Sequence, residues 1–176
     1  MESVKRFISK RLKLKVNEQK SAVAQPQVRK FLGFSFSGGS EIWRRIAPKA
    51  IERFQTRIRE DTGRARSMSL KQTMSILAPY MQGWRGYFGF CQTPDVLIQL
   101  TGWVRRRLRA ALWRQWKTRR RRGAMWIQLG VRGALAESTA VSSRGPWHLA
   151  HTKALSIALS NDYFRSRGLP SLFEQC

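Results

Sequence analysis

The sequence predicts a mainly α protein in which a small N-terminal helix and β-hairpin precede a helical bundle and a short helical tail. From Pro48 onward, apolar residues recur at helical spacing. Before that point, a glycine pair separates two aromatic and β-branched runs, which indicates a hairpin. The hydrophobic share of 42% is large enough for a packed core. We expect three parts, residues 1–47, 48–122 and 123–176.

The N-terminal part is predicted to hold one helix and a β-hairpin. Glu2–Leu12 places its apolar residues on one side of a helix. Leu14–Asn17 alternates apolar and basic residues, which suits the edge of a sheet. Phe31–Phe36 and Ile42–Ile46 flank the glycine-containing Ser37–Ser40, so a β-hairpin is expected there.

The first helix of the bundle is predicted from its ends and its apolar spacing. Pro48 suits the first helical position, and Gly63 suits the stop. Between them, Ile51, Phe54 and Ile58 form a stripe that we expect to be buried.

Further helix boundaries follow from capping signals. Ser69 and Gln72 form a capping box for the next helix. Pro79 is expected to begin a new helix, the one that carries the aromatic residues. Pro94 is expected at the first position of a further helix that runs into Lys117.

The last part is predicted from weaker patterns. Arg119–Arg122 is either a solvated linker or a phosphate contact, and the basic helix before it favours phosphate contact. Short helices are expected within Gly130–Ala140, Thr152–Leu159 and Asn161–Arg167.

Tyr80–Cys91 is expected to present aromatic residues on one helical face and glycines on another. The aromatic positions are Tyr80, Trp84, Tyr87 and Phe88, and the glycines are Gly83, Gly86 and Gly89. Glycine costs about 1 kcal/mol relative to alanine inside a helix, so the glycines are expected to serve packing or a partner. The aromatic residues themselves are expected to lie partly in the core.

The segment after it, Leu100–Lys117, combines an apolar stripe with a basic face. The stripe consists of Leu100, Val104, Leu108, Ala111 and Leu112. The basic face consists of Arg106, Arg109, Trp113 and Lys117, widened by Arg105, Arg107, Arg114 and Trp116. We expect the stripe to pack on a core while the exposed arginines hold phosphates and the two tryptophans stack on bases.

The charge balance predicts a polyanionic partner. The chain has 34 Lys and Arg residues against 10 Asp and Glu residues, which gives a net charge of +24. No unbroken apolar run has the length of a membrane span, so nucleic acid is favoured over a membrane. The candidate binding residues are Lys20, Arg85, Arg105, Arg106, Arg109, Trp113, Arg114, Trp116, Lys117, Arg119 and Arg120.

Catalytic and metal sites are not indicated. Nucleotide transfer requires closely spaced carboxylates to hold two metal ions, whereas Asp61, Asp95 and Asp162 are isolated in sequence. His148 and His151 are three residues apart, but no cysteine pair or second histidine pair completes a zinc pattern. We therefore expect a binding protein without a metal or another cofactor.

The cysteine content and the first residues bear on the cellular compartment. Two cysteines are too few for a disulfide framework, and the first residues lack the apolar core of a secretory signal. A cytoplasmic location is therefore expected.

Several runs resemble one protein family. ILAPYMQGWRGYFGFC followed by LTGWVRRRLRAALWRQWK closely resembles the maturase-specific region, or thumb, of bacterial group II intron reverse transcriptase/maturases. RLKLKVNEQKSAV and RKFLGFSFS resemble the last two conserved blocks of the reverse transcriptase palm, with Phe31, Leu32 and Gly33 in the places of the primer grip. SSRGPWHLAHTKALSIALSNDYFRSRGLPSLFE resembles the C-terminal tail of some bacterial members.

The resemblance implies a palm remnant over residues 1–47, a helical thumb over 48–122 and a tail over 123–176. It implies binding of intron RNA to assist splicing, within a mobile genetic element. The family's Tyr-x-Asp-Asp block does not occur in this sequence, which suggests a truncated or interrupted gene and no polymerase activity by this chain itself. Two alternatives stay open, namely a reverse transcriptase completed by an upstream polypeptide and a decayed remnant.

Overall fold

The computed structural model describes residues 2–18, 21, 23–25, 30–39, 41–63 and 68–173. The chain divides into two compact units, Met1–Ala47 and Pro48–Cys176. Most of the described residues are helical, and a two-stranded antiparallel sheet lies near the N-terminus, which confirms the predicted fold class.

The first unit contains helix α1 (Glu2–Arg11) and the strands β1 (Phe34–Phe36) and β2 (Arg44–Ile46). The strands pair antiparallel, with Phe34 opposite Ile46, as the predicted hairpin requires. Residues 14–17 form no strand, although their alternation suits the edge of a sheet. The Leu14 amide there donates to the carbonyl of Ile8 instead of joining a ladder, because alternation alone does not supply a partner strand.

The second unit is a succession of helices. Its described elements are α2 (Pro48–Asp61), α3 (Leu70–Phe88), α4 (Pro94–Gln115), α5 (Arg119–Gln128), α6 (Gly133–Ala140), α7 (Pro146–Leu149), α8 (Lys153–Ala158) and α9 (Asn161–Ser166). None of the described helices combines the length and the apolarity needed to cross a bilayer. The predicted boundary between residues 122 and 123 falls inside α5, and the three-domain division stays a prediction.

Helix α3 begins at the predicted capping box. The Ser69 hydroxyl accepts from the Gln72 amide, and the Gln72 side chain accepts from the Ser69 amide. The prediction that Pro79 restarts the chain is wrong, because α3 continues through it to Phe88. Leu77 and Met81, on either side of the proline, are both fully buried. Packing of this continuous apolar face outweighs the backbone hydrogen bond that proline removes.

The aromatic face of α3 is largely core. The ring centroids of Phe54 and Trp84 lie 4.6 Å apart, and those of Trp84 and Phe88 lie 4.5 Å apart. Gly83 and Gly86 are exposed, and a Cβ built on either would meet no atom within 4 Å outside its own helix. These two glycines therefore face open space on the described surface.

Helix α4 buries the predicted apolar stripe except for Ala111, which is half-buried. Val104 and Leu108 are fully buried, and Leu100 and Leu112 are nearly so. The helix ends at Gln115, and the arginine run after it opens α5 instead of forming a linker. The Thr118 hydroxyl caps α5 by accepting from the Arg121 amide.

The C-terminal segment joins the same core. Phe164, Leu169 and Leu172 are buried. The Leu172 amide donates to the Thr101 hydroxyl of α4 over 3.1 Å, and this bond is buried. The tail is therefore part of the second unit's packing.

Replacing Leu108 tests which side of α4 faces the core. We expect Leu108→Ala to lower the free energy of unfolding by about 2–5 kcal/mol, because it leaves a cavity at a fully buried site. Ile98→Ala, on the same helix but 50% exposed, should change it by about 0.5 kcal/mol or less. Urea titration followed by tryptophan fluorescence measures both, and equal effects would contradict this orientation.

Candidate nucleic-acid interface

Two arginines of α4 hold the end of α2. Arg107 Nε donates to the Thr62 hydroxyl over 3.1 Å, and Arg114 Nη2 donates to the Thr62 carbonyl over 3.0 Å. Thr62 follows the last residue of α2, where carbonyls lack a helical partner and the helix dipole is negative. A guanidinium at this position is therefore stabilised both by hydrogen bonds to these groups and by attraction to the negative end of the helix dipole.

Two further arginines of α4 hold the C-terminal segment. Arg109 donates through Nε and Nη2 to the carbonyl of Leu159, the C-cap of α8, over 3.0 and 2.8 Å. Arg106 donates to the Trp147 carbonyl and lies 3.8 Å from the centroid of its ring. The prediction of an exposed face is wrong for Arg109, whose hydrogen bonds are partly buried under the tail, and holds in part for Arg106, whose hydrogen bonds lie at the surface. Burial lowers the pKa of Arg109, and the charge of Arg105 lowers it further.

The tryptophans of α4 belong to an internal cluster. Trp113 and Trp116 are 3% and 5% exposed, and Trp126 of α5 packs against both with ring centroids 5.6 and 4.6 Å away. Arg122 lies over Trp113 and donates to the Trp116 carbonyl over 2.7 Å. The expectation that Trp113 and Trp116 present open faces for base stacking is therefore wrong.

Sequence reasoning missed Trp126 and the arginine partners. Trp126 follows an arginine run and a glycine, and this pattern predicts a phosphate contact or a solvated linker, not a helix that packs inward. The sequence cannot show which carbonyls accept from these arginines, because every residue carries a backbone carbonyl. The acceptors here are the carbonyls of Thr62, Leu159 and Trp116. The only sequence feature that pointed to these internal contacts was the large number of arginines on a helix that also carries an apolar stripe.

The exposed cations gather at the start of α5. Lys117 and Arg119–Arg121 are exposed, and no acidic residue occurs between Val96 and Ala136. Three of these cations occupy the first turn of α5, where the helix dipole is positive and disfavours cations. This run is therefore a dense positive charge with no acidic residue near it in sequence.

The remaining candidates of the second unit line two cavities. Arg85 of α3 is half-buried and borders a cavity of about 500 Å³ with Phe90, which is 53% exposed, and Phe173. Arg105 of α4 borders a cavity of about 640 Å³ with Arg165 and Phe173.

The primer-grip-like residues form a tight turn in the first unit. Leu32 and Gly33 have φ values of 49° and 79°, and the Phe31 and Phe34 backbones exchange two hydrogen bonds of 2.9 Å. Consecutive positive φ values are typical of a type I′ turn. The turn leaves Phe31 and Leu32 69% and 66% exposed. Lys20, the other candidate in this part, lies outside the described residues.

The histidines lie in a positively charged neighbourhood. An Arg144 guanidinium nitrogen lies 2.9 Å from His148 Nε2. Burial lowers the pKa of His151, followed by the charges of Arg106, Arg109 and His148. Among the described residues, no three His, Cys, Asp or Glu side chains group closely enough to hold a metal ion.

Comparison with known proteins identifies part of this helical unit. Residues 51–128 match the family model described as group II intron, maturase-specific domain. The match covers a little under half of the chain, from within α2 to the last residue of α5, and it confirms the resemblance over that part. No curated protein matches the chain.

Arg109→Ala tests whether this arginine anchors the tail. We expect it to lower the free energy of unfolding by about 1.5–3 kcal/mol, because it leaves the Leu159 carbonyl without its charged donor. Arg120→Ala, at an exposed position, should change it by about 0.5 kcal/mol or less. Urea titration provides both values, and a neutral effect of Arg109→Ala would refute the anchoring role.

Proposed function

Because residues 51–128 match a maturase-specific domain of the group II intron type, we propose that this chain binds group II intron RNA and assists its splicing. The observation that carries the proposal is the exposed run Lys117–Arg121, which lies within the matched segment and has no acidic residue near it in sequence. The net charge of +24 supports a partner with many phosphates.

The proposed mechanism is neutralisation of phosphate charge. Folding of a large RNA brings backbones together against their mutual repulsion, and a protein that neutralises phosphates releases their counterions. The first turn of α5 suits this role, because an RNA phosphate there would offset both the clustered arginine charges and the positive end of the helix dipole.

The arginines divide into two groups in this proposal. Arg109, Arg114 and Arg122 hold the fold through backbone carbonyls. Arg85, Arg105, Lys117, Arg119 and Arg120 keep the proposed RNA-binding role. In the first unit, the exposed tip of Phe31 and Leu32 is proposed to touch a nucleic-acid duplex.

The role proposed is binding and not nucleotide transfer. Asp61, Asp95 and Asp162 lie on three different helices. Asp61 lies 3.0 Å from Arg57 Nε, and Asp162 lies 3.5 Å from Arg165 Nη1, so each faces an arginine of its own helix. The two-metal chemistry of polymerases requires carboxylates that converge on one site.

The double variant Arg119→Gln with Arg120→Gln tests the proposed surface. We expect it to weaken binding to a group II intron transcript and to reduce the steepness of the log Kd against log salt plot by up to about 2, one for each phosphate that is no longer neutralised. Filter binding at a series of salt concentrations measures the slope, and splicing of the same transcript should slow in parallel.

A matched control removes the same charge elsewhere. Lys49→Gln with Arg53→Gln takes two exposed cations from α2 and should leave the slope nearly unchanged. Equal slopes for the two double variants would mean that binding follows net charge alone and would contradict a surface centred on α5.

A further inference from the structure

A cavity of about 640 Å³ lies between α4, α9 and the chain that follows α9. Its wall includes Ile98, Arg105, Asn161, Arg165, Ser171 and Phe173. The volume falls within the range of small-ligand pockets, about 300–1,000 Å³. The wall combines two cations and two neutral polar side chains with an aliphatic and an aromatic side chain, so it suits a ligand that has both a charged and an apolar part.

Arg105 differs from its neighbours on α4. Arg106, Arg107 and Arg109 each donate to a carbonyl or hydroxyl oxygen, whereas the Nε of Arg105 is buried without a hydrogen-bond partner. Burial lowers its pKa, the charge of Arg165 lowers it further, and the weaker attraction of Asp162 opposes both. A desolvated donor without an acceptor destabilises a fold, and because this Nε is closed to solvent, an anion in the cavity would offset it through the charge that the whole guanidinium shares.

One wall of the cavity is held in a fixed position by contacts with the core. The buried hydrogen bond from the Leu172 amide to the Thr101 hydroxyl fixes the chain between Ser171 and Phe173 against α4. Leu172 itself is 1% exposed and anchors this stretch in the core. The apolar wall is therefore held in place before any ligand arrives, which limits the ordering cost of binding.

We propose that this cavity binds one nucleotide of a single-stranded RNA segment, with its phosphate at Arg105 and Arg165 and its base against Ile98 and Phe173. The proposal rests on the proposed function and names a second binding site for the same RNA. A phosphate accepts from a guanidinium fork and offsets the repulsion between the two arginines. A base in a duplex is stacked and paired, so only an unpaired nucleotide can enter.

The experiment titrates a labelled ten-residue oligouridylate and follows fluorescence anisotropy. We expect Arg105→Gln to raise the Kd about tenfold, in keeping with the removal of a charge-assisted hydrogen bond. Its Tm should stay level or rise, because the substitution removes an unpaired and partly buried cation. If the Kd rises while the Tm does not fall, the substitution acts on ligand binding and not on folding.

Phe173→Ala tests the base stacking. We expect it to raise the Kd for the oligouridylate about fivefold or more, while the Kd for an abasic ribose-phosphate chain of the same length stays unchanged. Equal losses of affinity for the two probes would contradict a base against Phe173.

Arg132→Gln provides the charge-matched control, since Arg132 is exposed just before α6. It should change the Kd about twofold or less. If Arg105→Gln weakens binding no more than Arg132→Gln, or lowers the Tm, the nucleotide site is refuted. If in addition the Arg119 and Arg120 double variant still loses intron binding, the proposed function stands without this site. If the wild-type chain binds no RNA, the proposed function itself fails.

Discussion

The hydrogen bond from an arginine to a backbone carbonyl at the end of a helix is the interaction on which the second unit depends. Arg114 reaches the Thr62 carbonyl after α2, Arg109 reaches the Leu159 carbonyl after α8, and Arg122 reaches the Trp116 carbonyl after α4. Carbonyls at these ends have no partner within their own helix and carry the negative end of its dipole. Arginine suits the task because it keeps its charge when partly buried and donates in two directions. Helix α4 is thereby joined to elements about 50 residues away in the chain.

This use of arginine changes how the net charge of +24 is interpreted. A strongly basic chain suggests that its cations face a polyanion, yet several of the arginines on α4 face the protein itself. The cations that we propose for RNA are above all Arg119–Arg121 in the first turn of α5 and Arg105 beside its cavity, and among the described residues the Nε of Arg105 has no hydrogen-bond partner. The same residue type thus stabilises the fold from one helix and is proposed to hold phosphates from the next.

Much of the fold could be predicted from local rules. The capping box at Ser69 and the apolar stripe through Leu108 depend on neighbours three or four residues away, so the sequence displays them directly. The continuation of α3 through Pro79 and the burial of Trp113 depend on packing against distant elements, which local spacing does not encode. For the candidate site, the sequence predicted only that it would be positively charged. Which arginines stay accessible depends on where helices end in space, and a backbone carbonyl has no sequence signature.

Chemical modification of arginine with phenylglyoxal, mapped by mass spectrometry with and without intron RNA, tests this division of the arginines most directly. We expect Arg109, Arg114 and Arg122 to resist modification in the free protein, because their guanidinium groups are already hydrogen-bonded and partly buried. Arg119–Arg121 should react in the free protein and become protected when RNA is added. Rapid modification of Arg109 and Arg114 in the free protein, followed by their protection on RNA binding, would contradict the account, since it would place the RNA on the face that we assign to the fold.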